Sequence, residues 1–224
     1  MAITVDTANA SSSSGGSVSS LTFSNTVSSG ATLLLVGAGW QDTATFKTIT
    51  GVTYNGVAMT AVSGTQMNNN DQQSQMWYLV SPASGTHDVV ITWSSAPTTS
   101  VCGIAVSMSG SNTGTPFGAT VTTSSDLGPS SPFNHNITTT GTNSVIVDLL
   151  STDRNMTDLS TSQTNIAQVT YTNARTGMSY KSAATATTYT MTWTSSGPAA
   201  QVRSWIVEVL EAPSATSGMF FEFA

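Results

Sequence analysis

Two stretches of this sequence, about a hundred residues apart, repeat one aromatic pattern. MWYLVSPASGTHDVVITWSS spans residues 76–95, and MSYKSAATATTYTMTWTSS spans residues 178–196. Each contains an aromatic strand, a turn of small residues and a second strand that ends near a tryptophan. Residues two apart in a strand share one face, so Trp93 and Trp193 fall on the apolar faces of their strands. The repeat predicts two equivalent β halves, each with a buried tryptophan.

Other apolar and aromatic positions match in the same order: Leu33–Val36 with Val145–Asp148, Tyr78 with Tyr180, and Val106 with Val207. A sheet with one apolar face must bury that face against another sheet. The pseudo-repeats, at about 20–110 and 130–211, therefore predict one β-sandwich domain over residues 1–211. Two tandem sandwiches remain open, although each would have only about 100 residues and a thin core. Glu208 aligns with Ser107, and both are expected to face outward.

Short alternating runs between Gly, Pro, Asn and Ser clusters are typical of sandwiches and barrels. The sequence therefore predicts an all-β fold, a two-sheet antiparallel sandwich of jelly-roll-like arrangement with an internal pseudo-repeat. Asn55-Gly56 predicts a type I′ hairpin turn. Strands are predicted near 2–7, 20–27, 32–40, 52–62, 74–80, 87–94, 101–109, 117–122, 133–139, 144–151, 165–172, 176–182, 187–194 and 202–211.

The surface is expected to be neutral and rich in hydroxyl groups. Only 7% of the residues are charged, against roughly 25% in an ordinary globular domain. Ser and Thr number 35 and 39 of 224 residues, and the five Lys and Arg residues are scattered. A phosphate backbone or an anionic bilayer needs clustered basic residues. We therefore expect no nucleic-acid partner and no membrane partner.

Sequence motifs for catalysis or metal binding were not found. The nucleophile elbow G-x-S-x-G is missing, since GSNTG (110–114) has Asn at its centre, and no P-loop, H-E-x-x-H or C-x-x-C motif occurs. His87 and Asp88 are neighbours in a strand and should face opposite sides, so they are interpreted as part of a surface turn. Cys102 is the single cysteine and is interpreted as a buried structural thiol. We predict no enzyme activity, no cofactor and no metal.

The C-terminal segment is unusually aromatic. A linker, EAPSATSG, precedes MFFEFA. In an extended segment Met219, Phe221 and Phe223 lie on one side, and Phe220 and Glu222 on the other. Such a segment would be a liability if exposed, so Met219, Phe220, Phe221 and Phe223 are predicted to dock. The segment 212–224 is thus interpreted as a linker plus docking tail, either in cis or on a neighbouring subunit.

The stretch VTYNGVAMTAV…MWYLVSPASGTHDVVITW…CGIAVSMSGSNTGTPFGA resembles a β-sandwich module of tailed-phage and prophage virion proteins, which also occurs in some bacterial surface proteins. The second half carries the matching SYK, TW and W-x-x-V-x-V elements, so the resemblance covers roughly residues 20–211. It implies a jelly-roll-like sandwich and no catalytic residues. The Ser-rich loop at 10–16 and the aromatic tail lie outside the shared pattern.

The resemblance predicts a non-enzymatic virion protein that decorates or cements a capsid, or forms part of an appendage. Its partners would be other virion proteins and further copies of itself, in a homo-oligomer. The first residues, MAITVDTANA, lack the pattern of a signal peptide. Assembly in the host cytoplasm and a final location in the virion are therefore expected.

Two rival functions remain. One is a carbohydrate-recognising receptor-binding or adhesin module for a host surface glycan. It would use exposed side chains from Trp40, Tyr54, Trp77, Asn69 and Asp71, with the amide-rich loop at 68–75. The other is a glycan depolymerase, which would need two carboxylates within about 10 Å across a groove.

Overall fold

The computed structural model of this chain is built from β-strands, turns and loops. It describes residues 2–13, 17–43, 46–64, 67–69, 72–125, 132–153, 159–161, 163–171, 174–195 and 201–214. The predicted all-β fold class is confirmed. Strands of the first half are β1 Thr4–Ser13, β2 Ser20–Val27, β3 Leu33–Gln41, β4 Ile49–Tyr54, β5 Val57–Ala58, β6 Thr60–Ala61, β7 Met67–Asn69, β8 Gln72–Val80, β9 Gly85–Trp93 and β10 Ser100–Ser109. Strands of the second half are β11 Phe117–Ser125, β12 Phe133–Thr138, β13 Ser144–Thr152, β14 Leu159–Thr161, β15 Thr164–Tyr171, β16 Ala174–Ala183, β17 Thr188–Ser195 and β18 Val202–Val209.

Each half is a sandwich of an inner and an outer antiparallel sheet. In the first half the inner sheet has the order β1-β10-β3-β8-β6, with β7 also on β8, and the outer sheet has the order β2-β9-β4-β5. In the second half the inner sheet is β11-β18-β13-β16-β15 and the outer sheet is β12-β17-β14. The first strand of each half pairs with its last, and the second with the next to last. This is the strand order of a jelly roll, and it occurs twice.

The two inner sheets pack on one another, so the molecule is a stack of four layers. One apolar core fills the first half, between its inner and outer sheets. A second core joins the two inner sheets, and it contains Leu33 and Leu35 from β3 with Val145, Val147 and Leu149 from β13. Two smaller clusters fill the second half. The sequence predicted two sheets, whereas the described residues form four, because each half has an outer sheet of its own that covers its inner sheet.

The inner strands are buried on both faces. β3, β13 and β18 are buried along their whole described length. Ser107 and Glu208 are therefore both 0% exposed. The expectation that they face outward was wrong, since the face opposite the central core is covered by an outer sheet and its loops.

The outer sheets face solvent through hydroxyl and amide side chains. On the second outer sheet, the hydroxyl groups of Thr190 and Thr192 donate to Asn136 and Asn134 at 2.8 and 2.9 Å. Such cross-strand pairs are the sheet's local stabilising contacts. On the first outer sheet, the hydroxyls of Thr26 and Thr86 lie 2.8 Å apart. The predicted neutral, hydroxyl-rich surface is thus present on both outer sheets.

Candidate functional site

The two tryptophans predicted to be buried, Trp93 and Trp193, are buried in the structure. Trp93 is 2% exposed and Trp193 is 0% exposed. Trp93 packs edge-on against Trp40, with ring centroids 6.1 Å apart. Trp193 instead donates its indole N–H to Asp148 Oδ2 at 2.5 Å. The two tryptophans occupy equivalent strands but have different polar surroundings.

Two of the predicted glycan-binding aromatics are buried. Trp40 and Tyr54 are both 0% exposed. Trp40 lies on β3, which is covered on both faces. The Tyr54 hydroxyl donates to the carbonyl oxygens of Ala83 and Gly85, at 3.0 and 3.1 Å, which anchors the β8–β9 turn. The expectation that these rings are exposed platforms was wrong.

Of the remaining predicted glycan-binding residues, the structure describes Trp77 and the backbone of Asn69. Trp77 on β8 is half-buried and packs against the first-half core. Asn69 ends β7, where its backbone pairs with Gln72, and Asp71 lies outside the described residues. The amide-rich run does not continue as a loop, because residues 72–75 form the start of β8 and are buried.

An open polar groove lies on the first outer sheet, beside the turn of Asn55 and Gly56. Its volume is about 450 Å³, and its lining residues are Thr53, Asn55, Gly56, Thr86, His87, Asp88 and Val90. Asn55 and Gly56 have φ of 50° and 73°, as the predicted type I′ turn requires. The groove offers amide, hydroxyl, imidazole and carboxylate groups to a ligand.

His87 and Asp88 both line this groove, but each has its own hydrogen-bond partner. A His87 ring nitrogen lies 3.2 Å from the carbonyl oxygen of Ser84, and its ring meets Tyr54 edge-on at 5.6 Å. Asp88 accepts a hydrogen bond from the Ser24 hydroxyl at 3.1 Å. In the Ser-His-Asp triad the carboxylate is hydrogen-bonded to the histidine ring, whereas these two side chains have separate partners.

Glu208 is a buried carboxylate that sequence reasoning missed. Its two oxygens accept hydrogen bonds from the backbone N–H groups of Ala119, Thr140 and Gly141, at 2.8–2.9 Å. The hydroxyls of Thr140 and Ser144 donate to it at 3.0 Å. Burial by itself raises the pKa of Glu208, but these donors outweigh burial and hold the pKa below its usual value. Glu208 therefore ties β18 to the β11 and β12–β13 segments.

Asp148 and Cys102 are also buried. Burial raises the pKa of Asp148 to about 7, although the donors Trp193 and Ser204 act in the opposite direction. Burial raises the pKa of the Cys102 thiol to about 12, against a hydrogen bond with Thr176. A thiol with so high a pKa is a poor nucleophile. The interpretation of Cys102 as a buried strand residue agrees with its exposure of 0%.

Among the described residues, no group of three or more His, Cys, Asp and Glu side chains could hold a metal ion. Within the same residues, no helix has the length and apolarity needed to cross a bilayer. The predicted docking residues Met219, Phe220, Phe221 and Phe223 lie outside the described residues. No known protein family, curated protein or solved structure matched this chain.

Proposed function

We propose that this chain is a non-enzymatic structural protein of a phage virion. It would decorate or cement the capsid, or form part of an appendage, by binding other virion subunits as a homo-oligomer. The observation that carries the proposal is the four-layer stack. Its outer faces carry mainly hydroxyl and amide side chains, and its buried carboxyl groups Glu208 and Asp148 are engaged in internal hydrogen bonds. Such a block suits a passive building role.

The fold agrees with the proposal but also with its rival. Jelly rolls recur in viral capsid proteins and in lectins. A fold does not determine a function by itself, so this likeness favours a virion protein and a glycan-binding protein about equally. The predicted partner-binding tail favours the virion protein, because an aromatic segment suits docking on another subunit.

The segment that precedes the tail has a defined position up to Ala212. Glu211 forms an isolated bridge with Ser111, and the backbone N–H of Ala212 donates to Gly110 at 2.8 Å. The segment before the tail is thus attached beside the end of β10, in the other half of the molecule. In the proposed function, the tail that follows this segment docks on a neighbouring subunit of the virion.

Replacing both Phe221 and Phe223 by serine is expected to weaken attachment to the particle at least tenfold, because buried aromatic anchors each contribute 2 kcal/mol or more. Binding to purified particles that lack this chain would measure the loss, and sedimentation would measure the oligomeric state. Glu222→Gln is the matched control and should bind normally. Unchanged attachment and oligomerisation of the double variant would contradict the docking role of the tail.

The groove beside Asn55 favours the alternative, a carbohydrate-recognising receptor-binding or adhesin module. Polar groups on a concave surface can hydrogen-bond the hydroxyls of a sugar. If this function holds, Asp88→Ala should lower binding to a host surface glycan at least tenfold in a glycan array or by calorimetry. Thr190→Ala, on the outer face of the other half, is the matched control. Equal glycan binding by both variants would count against this groove.

A further inference from the structure

Two ionisable side chains lie inside the core between the second inner and second outer sheets. Asp148 lies on β13 and His135 on β12. Two small apolar clusters form this core. On each strand, the residue two positions before and the residue two positions after the ionisable side chain belong to these clusters, one to each. The flanking residues are Ile146 and Leu150 on β13, and Phe133 and Ile137 on β12. The acid and the base therefore interrupt the same core from its two opposite sheets.

Both groups are shielded from water and neither has a charged partner in its hydrogen bonds. Asp148 is 0% exposed and His135 is 5% exposed. Asp148 accepts from the indole N–H of Trp193 at 2.5 Å and from the Ser204 hydroxyl at 3.1 Å. Neither ring nitrogen of His135 has a hydrogen-bond partner in the described chain. Asp148 thus has neutral hydrogen-bond donors in place of water, and His135 has no hydrogen-bond partner in the described chain.

The first half has apolar residues at both equivalent positions. His135 pairs with Met191 on β17, and at the matching place in the first half Leu21 pairs with Ile91 on β9. Asp148 corresponds to Val36 in the alignment of the repeats, and Leu21 and Val36 both belong to the first-half core. An acid and a base are therefore both present in one half and both missing from the other.

We propose that Asp148 and His135 are an opposed pair of proton-binding groups that keeps the attachment of the second outer sheet nearly independent of pH. Burial disfavours the charged form of each group. Raising the pH loosens the sheet through Asp148, because its carboxyl must lose a proton inside the core. Lowering the pH loosens the sheet through His135, because its imidazole must gain one.

The pKa values place the two effects in the same range. Burial raises the pKa of Asp148 from 3.8 to about 7. The stability from this group is complete below pH 3.8 and is lost as the pH rises to about 7. Burial lowers the pKa of His135 from 6.5 to about 4. The stability from this group is complete above pH 6.5 and is lost as the pH falls to about 4. Between these limits the two changes cancel.

Other ionisable residues of the described chain also face this core. They are Glu208 on β18, Tyr189 on β17, and Arg175 and Lys181 on β16, which share the face of Asp148 through the register of β16 with β13. Replacing Asp148 or His135 singly leaves all of these side chains in place. A pH dependence that appears only in the single variants therefore reports the pair.

Hydrogen exchange can test the proposal on the full chain. Amide protection of β17 would be measured between pH 4.5 and 6.5, corrected for intrinsic exchange, with β9 as the internal reference. The wild-type protein should change less than about threefold over this range. His135→Leu introduces the residue that the first half has at the equivalent position. In this variant the amides of β17 should lose protection roughly 50-fold as the pH rises. In Asp148→Asn the same amides should gain protection by a similar factor as the pH rises. In each single variant the folded and unfolded states differ by about one bound proton, which sets the slope of stability against pH.

The double variant Asp148→Asn/His135→Leu should again be nearly flat, and β9 should be unaffected throughout. A steep wild-type slope, or a flat slope in either single variant, would overturn the proposal. If one variant is unfolded at one end of the range, its urea midpoint over the remaining pH values gives the sign of its slope. The same sign in both single variants would also overturn it.

Discussion

Replacing Glu208 by alanine is expected to lower the free energy of unfolding by about 3–5 kcal/mol. In the wild-type protein three backbone N–H groups and two hydroxyls donate to the Glu208 carboxylate. The substitution leaves these donors without their acceptor. A buried donor left without an acceptor costs about 1–3 kcal/mol, and more when its partner was charged. Urea unfolding followed by tryptophan fluorescence would measure the loss. Asp88→Asn, an exposed carboxylate that accepts one bond from Ser24, is the control and should change stability by less than about 0.5 kcal/mol.

The same carboxylate predicts an acid limit. The pKa of Glu208 is lowered in the folded chain, so its contribution is complete above its unfolded value of 4.5 and is lost as the pH falls through the folded value. The stability difference between the wild type and Glu208→Gln should therefore be largest at neutral pH and shrink below pH 4.5. A difference that stays constant down to pH 2 would show that packing, and not the charge, accounts for the effect of Glu208.

The internal repeat could be predicted from the sequence down to the register of the inner strands. Leu33 was aligned with Val145 because apolar runs keep their order when loops change length. In the structure Leu33 pairs with Met108, and Val145 pairs with Val209. Met108 and Val209 are 101 residues apart, which is also the offset of Val106 and Val207 in the alignment. Strand alternation carried this information, since it fixes which residues share a face.

The number of sheets could not be predicted in the same way. Alternation shows that a strand has an apolar face, but it does not show what covers the other face. LLLV at 33–36 and VIVDLL at 145–150 are apolar on both faces, and such continuous runs are typical of strands buried on both sides. That signal predicts the two inner sheets. It also explains why Trp40, on the same strand as LLLV, is buried rather than exposed.

The polar interior was the least predictable part. Glu208 receives its donors from residues 119–144, more than 60 positions earlier in the chain, and no local pattern indicates such a contact. By contrast, His135 alternates with Phe133 and Ile137 on β12, so the inward direction of its side chain could be predicted. The presence of Asp148 in the same core depends on how the second outer sheet lies on its inner sheet.

Gly39→Ala is expected to lower the free energy of unfolding by about 3 kcal/mol, because the inner sheets approach closely at this residue. A Cβ atom at Gly39 would collide with the hydroxyl oxygens of Thr176 and Ser151. Both belong to short side chains on the second inner sheet that have little freedom to move away. Overpacking of a well-filled core typically costs 1–3 kcal/mol. Chemical unfolding would measure the loss.

Two other glycines make this prediction specific to the contact between the halves. A Cβ atom at Gly37 would lie 2.6 Å from Leu149 Cδ1 and 2.7 Å from Met178 Cε; these are ends of flexible side chains, so Gly37→Ala should cost less than Gly39→Ala. A Cβ atom at Gly51, on an outer sheet, would meet nothing within 4 Å, and Gly51→Ala should be neutral or slightly stabilising. Equal costs at all three positions would mean that strand propensity, and not the approach of the sheets, decides the effect. Thr176 and Ser151 belong to the second half, and Gly39 belongs to the first. If Gly39→Ala destabilises both halves equally, the two jelly rolls unfold as one cooperative unit that depends on this contact.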